Sequence, residues 1–322
     1  ISYQIATRSG NAAEFFDMTQ RCRAVGVRIY VDVVPNHMTS NLDSAIGTGG
    51  SIADPHNFYY PAVPYTSEDF NNPHCPINDY DDLVEARVCE MAGLHDLNQT
   101  VPRVQWAITN YLDRLTAMGA AGFRVDASKH MYPEDLEKVY SQIRKLPEHL
   151  GFDSGSDPFV FQEVGDGWKF NYTHLGAVTE FAHATNMAKF FKGQSRAEDL
   201  RNYGGRHMGM LESENALVFV DNHDLQRQNP FTLNYKNPRA FRAASAFTLA
   251  HPYGIVRVMS SFHFNDDQQG PPHDARYNIR GPRFDSRGQS IRSSGWVAEH
   301  RWPAIANMVK FRNLAGNSPL TK

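Results

Sequence analysis

The sequence predicts an α/β protein whose strands run parallel and whose chemistry gathers at their carboxyl ends. Three observations predict it. First, four apolar runs each end in a carboxylate or a histidine: Val31-Asp32-Val33-Val34-Pro35-Asn36-His37, Gly122-Phe123-Arg124-Val125-Asp126-Ala127-Ser128-Lys129-His130, Phe161-Gln162-Glu163-Val164 and Phe219-Val220-Asp221-Asn222-His223-Asp224. Unbroken apolar runs mark parallel strands buried on both faces, and such folds place their reactive groups where the strands end. Second, stretches with helical spacing separate the runs, the alternation of an α/β fold. Third, Asp126, Glu163 and Asp224 lie on different runs but would meet on one rim. Carboxyl groups flanking a single bond are what glycosidic cleavage requires.

The elements follow in order. Phe15, Met18, Cys22 and Val25 recur at helical spacing and Gly26 supplies a left-handed stop, so a helix is predicted over 11–25. Val27 to Val34 is rich in β-branched residues and reads as a strand. From Met38 to about Asp96, Gly, Pro, Asn, Asp and Ser are dense and no helical period is visible; a loop of that length is expected to be functional. Val101, Val104, Ile108, Tyr111 and Leu115 restore a helical stripe, with Pro102 suited to its first turn and Gly119 and Gly122 marking its end. The remaining chain predicts strands at 122–126, 158–163, 177–181, 216–221 and 254–259, and helices at about 134–145 and 196–203. Trp302, Ile305, Met308 and Val309 suggest a closing helix. No internal repeat or low-complexity tract is expected.

Bulk properties narrow the function. A chain of 322 residues can bury a large core. A net charge of -3 gives no overall electrostatic footprint for nucleic acid or an anionic membrane, so neither is expected as a partner. No apolar stretch approaches the roughly 20 residues that cross a bilayer. The 12% aromatic content suits a carbohydrate binder and an aromatic core equally.

Taken together and in this order, the four segments resemble the conserved regions of the α-amylase family of retaining glycoside hydrolases, most closely its animal, chloride-dependent members. The likeness runs from Thr7-Arg8-Ser9-Gly10-Asn11 to Glu299-His300-Arg301-Trp302 and includes Ala250-His251-Pro252-Tyr253-Gly254 and Arg257-Val258-Met259-Ser260-Ser261. It implies a (β/α)8 TIM barrel, here incomplete, holding the third to eighth strands. Residues 1–36 would be part of the catalytic barrel (domain A), 37–96 an inserted calcium-binding B domain, and 97–322 the barrel continued. Two earlier strands and a C-terminal β domain of the family are expected to lie outside this chain. An open arc of six strands should expose apolar edges.

The resemblance also assigns roles. Asp126 would be the nucleophile, Glu163 the general acid and base, and Asp224 a carboxylate that holds substrate hydroxyls. His37, His130, His223, Lys129 and Tyr80 match substrate-contacting positions, and Asp32 a supporting one. Calcium is implied by Asn36, Asp96 and the main-chain carbonyls of Arg87 and His130, an all-oxygen set that suits the ion. Arg124, Asn222 and Arg257 match chloride ligands, and an anion there would cancel the pull of two guanidiniums on the Glu163 proton. Cys75 and Cys89 match a family disulfide, and Cys22 a half-cystine whose partner lies upstream.

There are departures. Gln228-Asn229-Pro230-Phe231 stands where vertebrate-type members carry a glycine-rich loop, and Ala6 and Ala298 stand where they carry cysteines. A tryptophan pair that floors the cleft in relatives would precede Ile1. The implied function is an endo-acting α-amylase on starch, glycogen and maltooligosaccharides, secreted, extracellular, digestive and monomeric. The alternatives are an α-glucosidase or transglycosylase on the same scaffold, or a non-catalytic glycan-binding homologue.

Overall fold

In a computed structural model, the described residues are all of 1–322 except Asn229, Asn317, Thr321 and Lys322; the side chain of Gln228 is also outside the description. The expected departure at Gln228–Phe231 therefore falls partly outside the described residues. The chain divides into two compact units, the first being Ile1–Val164 with Tyr172–Gly176 and the second Gly165–Asn171 with Ala177–Lys322.

The first unit holds three parallel strands, β1 (Ile29–Val33), β2 (Ala120–Val125) and β3 (Phe159–Gln162). Strand β2 pairs with β1 on one side and β3 on the other, with Asp32 opposite Arg124 and Arg124 opposite Phe161. Every residue of β2 is buried, as its apolar run requires, whereas Tyr30 on β1 is 50% exposed. Gly122 permits close strand contact, because a Cβ there would collide with the Phe159 carbonyl.

Helix α1 (Ala12–Ala24) starts at a reciprocal cap: the Asn11 side chain accepts from the Ala13 and Glu14 amides, and Glu14 accepts from the Asn11 amide at 2.8 Å. Val25, expected inside this helix, is its cap and 75% exposed. The 38–96 segment is mostly irregular but contains a short helix, α2 (Leu83–Val88), which was not expected. Asp82 caps it. The segment has its own aromatic core, with Tyr60, Tyr65 and Phe70 buried and Phe58 stacked on His95 at 4.1 Å. The Cys75–Cys89 disulfide is present, and Cys22 is a free thiol. A loop of that span stabilises by roughly 3 kcal/mol in the chain-entropy model. In α3 (Pro102–Ala117), Val104, Ile108, Leu112 and Leu115 form the buried stripe, and α4 (Pro133–Gln142) packs beside it.

The second unit repeats the alternation. Strands β4 (Ala177–Thr179), β5 (Ala216–Val218) and β6 (Ile255–Val256) pair in parallel, in that order. Helices α5 (Phe181–Phe191), α6 (Leu225–Gln228), α7 (Pro238–Ala250) and α8 (Pro303–Ala315) complete it. Helices α5 and α7 were missed because their apolar residues are dense all round rather than striped. The helix expected at 196–203 is a 3-10 turn, Ala197–Asn202. Among the described residues, no helix is long and apolar enough to cross a membrane.

The sequence holds no repeat, but two stretches of backbone share one geometry. Two successive turns, at 272–280 and 283–291, carry the same hydrogen bonds at equivalent positions. In the first, Asp274 Oδ1 accepts from the Arg276 and Asn278 amides at 2.8 and 3.0 Å; in the second, Asp285 Oδ1 accepts from the Arg287 and Gln289 amides at 2.9 and 2.8 Å. Arg280 N–H closes on the Pro272 carbonyl and Ile291 N–H on the Arg283 carbonyl, both at 2.8 Å. Tyr277 and Gly288, at the matching position, both adopt left-handed φ, 63° and 73°. The repeat is one of backbone geometry, with only the Asp and Arg shared in sequence, so residue patterning did not reveal it.

Candidate active site

Asp126 and Glu163 each stand one residue beyond a parallel strand. Their amides continue the ladder, Asp126 N–H to the Val33 carbonyl and Glu163 N–H to the Val125 carbonyl, both at 2.9 Å. Arg124, two residues before Asp126 and so on the same face of β2, binds both side chains. Its Nη1 lies 2.7 Å from Asp126 Oδ1 and 2.7 Å from Asp32 Oδ1, and its Nη2 lies 2.9 Å from Glu163 Oε1. The Ala127 amide donates to Glu163 Oε2 at 3.0 Å. Ala127 holds φ at 51°, a left-handed conformation that a non-glycine residue adopts at a cost and that clusters at functional sites.

The electrostatics follow from burial. Arg124 is 3% exposed. Desolvation alone would lower its pKa, but the charges of Glu163 and Asp32 and the hydrogen bonds it donates to Asp126 and Asp32 outweigh it, and the net shift is upward. Its Nε is buried with no hydrogen-bond partner, a donor that suits an anion.

Lys129 and His130 follow on a turn, Ser128–His130. His130 is nearly buried; its Nδ1 lies 2.7 Å from the Ala86 carbonyl and its ring stands edge-on to Tyr80, centroids 5.9 Å apart. Tyr80 is half exposed. Burial lowers the pKa of His37, and Asn36 Nδ2 lies 3.3 Å from its Nδ1.

The residues expected at calcium also belong to the first unit. Asn36 and Asp96 are almost fully buried, and the Oδ1 of each has no hydrogen-bond partner. Asp96 Oδ2 accepts from Asn71 at 2.7 Å, and the backbone at His37 bridges to Asp96. Two orphaned acceptor oxygens on adjoining strands of chain fit a hard cation. The Ala86–His130 bond brings α2, with Arg87, against the His130 turn. Among the described residues, no group of three His, Cys, Asp or Glu could hold a metal, so a site here must draw on amide and main-chain oxygens.

The other expected residues lie in the second unit. Asn222 Oδ1 caps α6 by accepting from the Asp224 and Leu225 amides at 3.1 and 2.7 Å. An anion would therefore meet its donor end. Asp224 is largely exposed, with Oδ2 3.4 Å from His223 Nε2. Arg257 N–H donates to the Val218 carbonyl, and its guanidinium carbon lies 5.3 Å from the centre of the Phe219 ring.

Sequence reasoning missed a buried network behind Asp224. Glu299, fully buried, accepts from the Ser261 amide at 2.6 Å, and Ser261 Oγ donates to Gln226 Oε1 at 2.7 Å. Burial, then the charge of Glu299, raises the Asp221 pKa well above the carboxylate range, against the pull of Arg257. The only sequence signal was the quoted Glu299-His300-Arg301-Trp302 itself, which carried no role.

Two carboxylates, Asp126 and Glu163, standing just past adjacent parallel strands and sharing one guanidinium fit the class of the glycoside hydrolases. A model of the α-amylase catalytic domain matches residues 2–219. The alpha-amylase-related proteins of Drosophila willistoni and Drosophila serrata are each 47% identical, aligning over 100% and 99% of this chain and 66% and 65% of their own lengths. Alpha-amylase I of the earthworm Eisenia fetida superposes with a TM-score of 0.92 at 34% identity, over 99% of this chain and 68% of that one. A maltohexaose complex of a mutant of that enzyme gives 0.93. This chain belongs to the α-amylase family, and its fold is the incomplete (β/α)8 barrel that the sequence predicted. It spans about two thirds of the length of the curated relatives.

Proposed function

We propose that the chain is the catalytic part of an α-amylase, hydrolysing internal α-1,4-glucosidic bonds of starch and glycogen by double displacement. The carrying observation is the contact of Asp126 and Glu163 with the single Arg124 guanidinium. Retention needs carboxyls roughly 5–5.5 Å apart, and contact with one planar cation keeps the two carboxylates close to each other.

Asp126 attacks the anomeric carbon as Glu163 protonates the leaving oxygen; Glu163 then takes a proton from the water that opens the glycosyl ester. Asp224 holds substrate hydroxyls, assisted by His37, His130, His223, Lys129 and Tyr80. Arg124 holds Asp126 in place for attack, and by its contact with Glu163 the same cation opposes a proton on the acid. A chloride held by Arg124, with Asn222 and Arg257 as its other ligands, would offset that pull. Asn36, Asp96 and the carbonyls of Arg87 and His130 would hold calcium, which would tie the 38–96 segment to the His130 turn. The maltohexaose complex of the earthworm relative supports an α-glucan substrate. The disulfide supports secretion, and we place the protein outside the cell as a monomer.

The test is product analysis on soluble starch with the full-length protein. Mixed maltooligosaccharides released with α configuration are expected. Glucose alone would favour the α-glucosidase reading, and binding without turnover the non-catalytic one.

A further inference from the structure

We propose that the tandem turns at 272–280 and 283–291 form a binding surface for an anionic glycan, a glucan bearing phosphate or sulfate esters. The chain is net negative, but residues 271–292 carry five arginines against two aspartates and no other charged side chain except His273 if protonated. The global charge conceals this segregation. Asp274 and Asp285 spend Oδ1 on the amides of their own turns. Arg276, Arg280, Arg283, Arg287 and Arg292 are all exposed. Arginine matches the oxyanions of phosphate and sulfate esters with paired N–H donors.

The turns are also held in place. Trp296 Nε1 donates to the Arg280 carbonyl at 2.8 Å, Gln289 Nε2 to the Arg301 carbonyl at 2.7 Å, and Arg301 packs over the Phe284 ring at 4.2 Å. At their N-terminal side, Arg227 on α6 donates to the carbonyls of Asp267 and Gln269, each at 3.1 Å. The surface is thereby tied to the helix that follows Asp224. A backbone fixed before binding loses less freedom on contact, which favours affinity.

A purely solvated basic loop would not need Tyr277. Its twin position is Gly288, which reaches left-handed φ without steric cost, yet here a tyrosine holds that conformation. The ring is 60% exposed and stacks on His273, centroids 5.0 Å apart. An open aromatic face beside Arg276 offers a platform for a sugar ring next to a donor for its ester oxyanion. That pairing favours a charged glycan over nucleic acid or membrane, and it deepens the glucan-hydrolase reading on which it rests.

The experiment is affinity electrophoresis of the full-length protein in gels holding amylopectin, phosphorylated amylopectin, dextran sulfate or duplex DNA, with flotation on anionic vesicles as a further arm, each across a salt series. Retardation by the charged glucans beyond that by amylopectin is expected, weakening as salt rises. The two charged arms separate phosphate from sulfate recognition. Arg276→Ser/Arg287→Ser should weaken it by roughly tenfold. Tyr277→Gly, which relieves the backbone, should weaken both charged-glucan arms without loss of thermal stability. Hydrolysis of neutral amylose should be unchanged in all variants. Equal retardation in neutral and charged gels, no response to the double substitution, or tighter retention by DNA or vesicles would overturn the proposal. Absent amylose hydrolysis with retained charged-glucan binding would instead count against the enzymatic reading alone.

Discussion

Arg124 Nη2 is ion-paired with Glu163 Oε1 at 2.9 Å, on a guanidinium whose other terminal nitrogen donates to Asp126 Oδ1 at 2.7 Å. The proposed acid and the proposed nucleophile thus share one buried cation. An ionised nucleophile benefits from that cation, and an acid that must carry a proton does not. The chemistry proposed here therefore asks for something to weaken one contact and spare the other.

Removing the nucleophile tests the first half. Asp126→Asn keeps the shape and one hydrogen-bond acceptor for Arg124, so the thermal midpoint should move by only a few degrees. Turnover of soluble starch should fall by roughly a thousandfold or more. Activity within tenfold of the parent would remove Asp126 from its role.

Removing the cation tests the second. Arg124→Gln leaves Asp32, Asp126 and Glu163 facing one another around a site that is 3% exposed at the arginine. Breaking a buried pair from one side costs about 3 kcal/mol, less here where Asp32 is half solvated. Urea unfolding should show the loss. In Arg257→Gln, starch hydrolysis should respond less to added chloride; an unchanged halide response would sink that assignment.

Calcium removal has its own prediction. Chelation should lower the thermal midpoint, and Asp96→Ala should lower it equally while abolishing the further effect of chelator. Calorimetric titration should find a calcium site in the parent and none in the variant. A variant that still binds calcium would place the ion elsewhere.

His183 gives a pH dependence. It is 1% exposed, with Nε2 2.9 Å from Thr248 Oγ1 and Nδ1 3.0 Å from the Tyr203 hydroxyl. Burial, with the charge of His251 adding, pulls its pKa from 6.5 down to about 3. Since the folded value is the depressed one, the unfolded chain takes the proton first as pH falls. This contribution is whole above pH 6.5 and is lost progressively towards pH 3. Urea midpoints should decline across that window, and the His183 ring resonance should not titrate above pH 4. Titration near its ordinary value would refute the assignment.

The network behind Asp224 predicts a split in kinetics. Gln226→Leu strands the Ser261 hydroxyl and loosens the turn that carries Asp224, costing about 1–2 kcal/mol of stability. KM for maltooligosaccharides should rise about tenfold with a smaller change in kcat. An equal fall in kcat with KM constant would mean that Gln226 does not act through substrate positioning.

Much of this was legible in the chain. The apolar runs before Asp126 and Glu163 read as strands because they are short and rich in β-branched and aromatic residues, and the stripe of α3 is helical because its period is. The helices α5 and α7 were not legible, since their buried faces include His183, Ser245 and Thr248 while apolar residues also fall outside those faces, which blurs the stripe. The twin turns escaped for another reason: aspartate oxygens and backbone amides repeat there, while the side chains mostly do not.

By itself, then, the sequence determined the family and the strand-end carboxylates, because each is written in local motifs, and through the family resemblance it implied the disulfide that the structure contains. Only the tertiary structure decided that Arg124 spans Asp32, Asp126 and Glu163, that Asn36 and Asp96 keep orphaned oxygens, and that Glu299 reaches Gln226 through Ser261. Those relations depend on strand register and on burial, which removes water as a partner, and neither can be read from any one segment of chain.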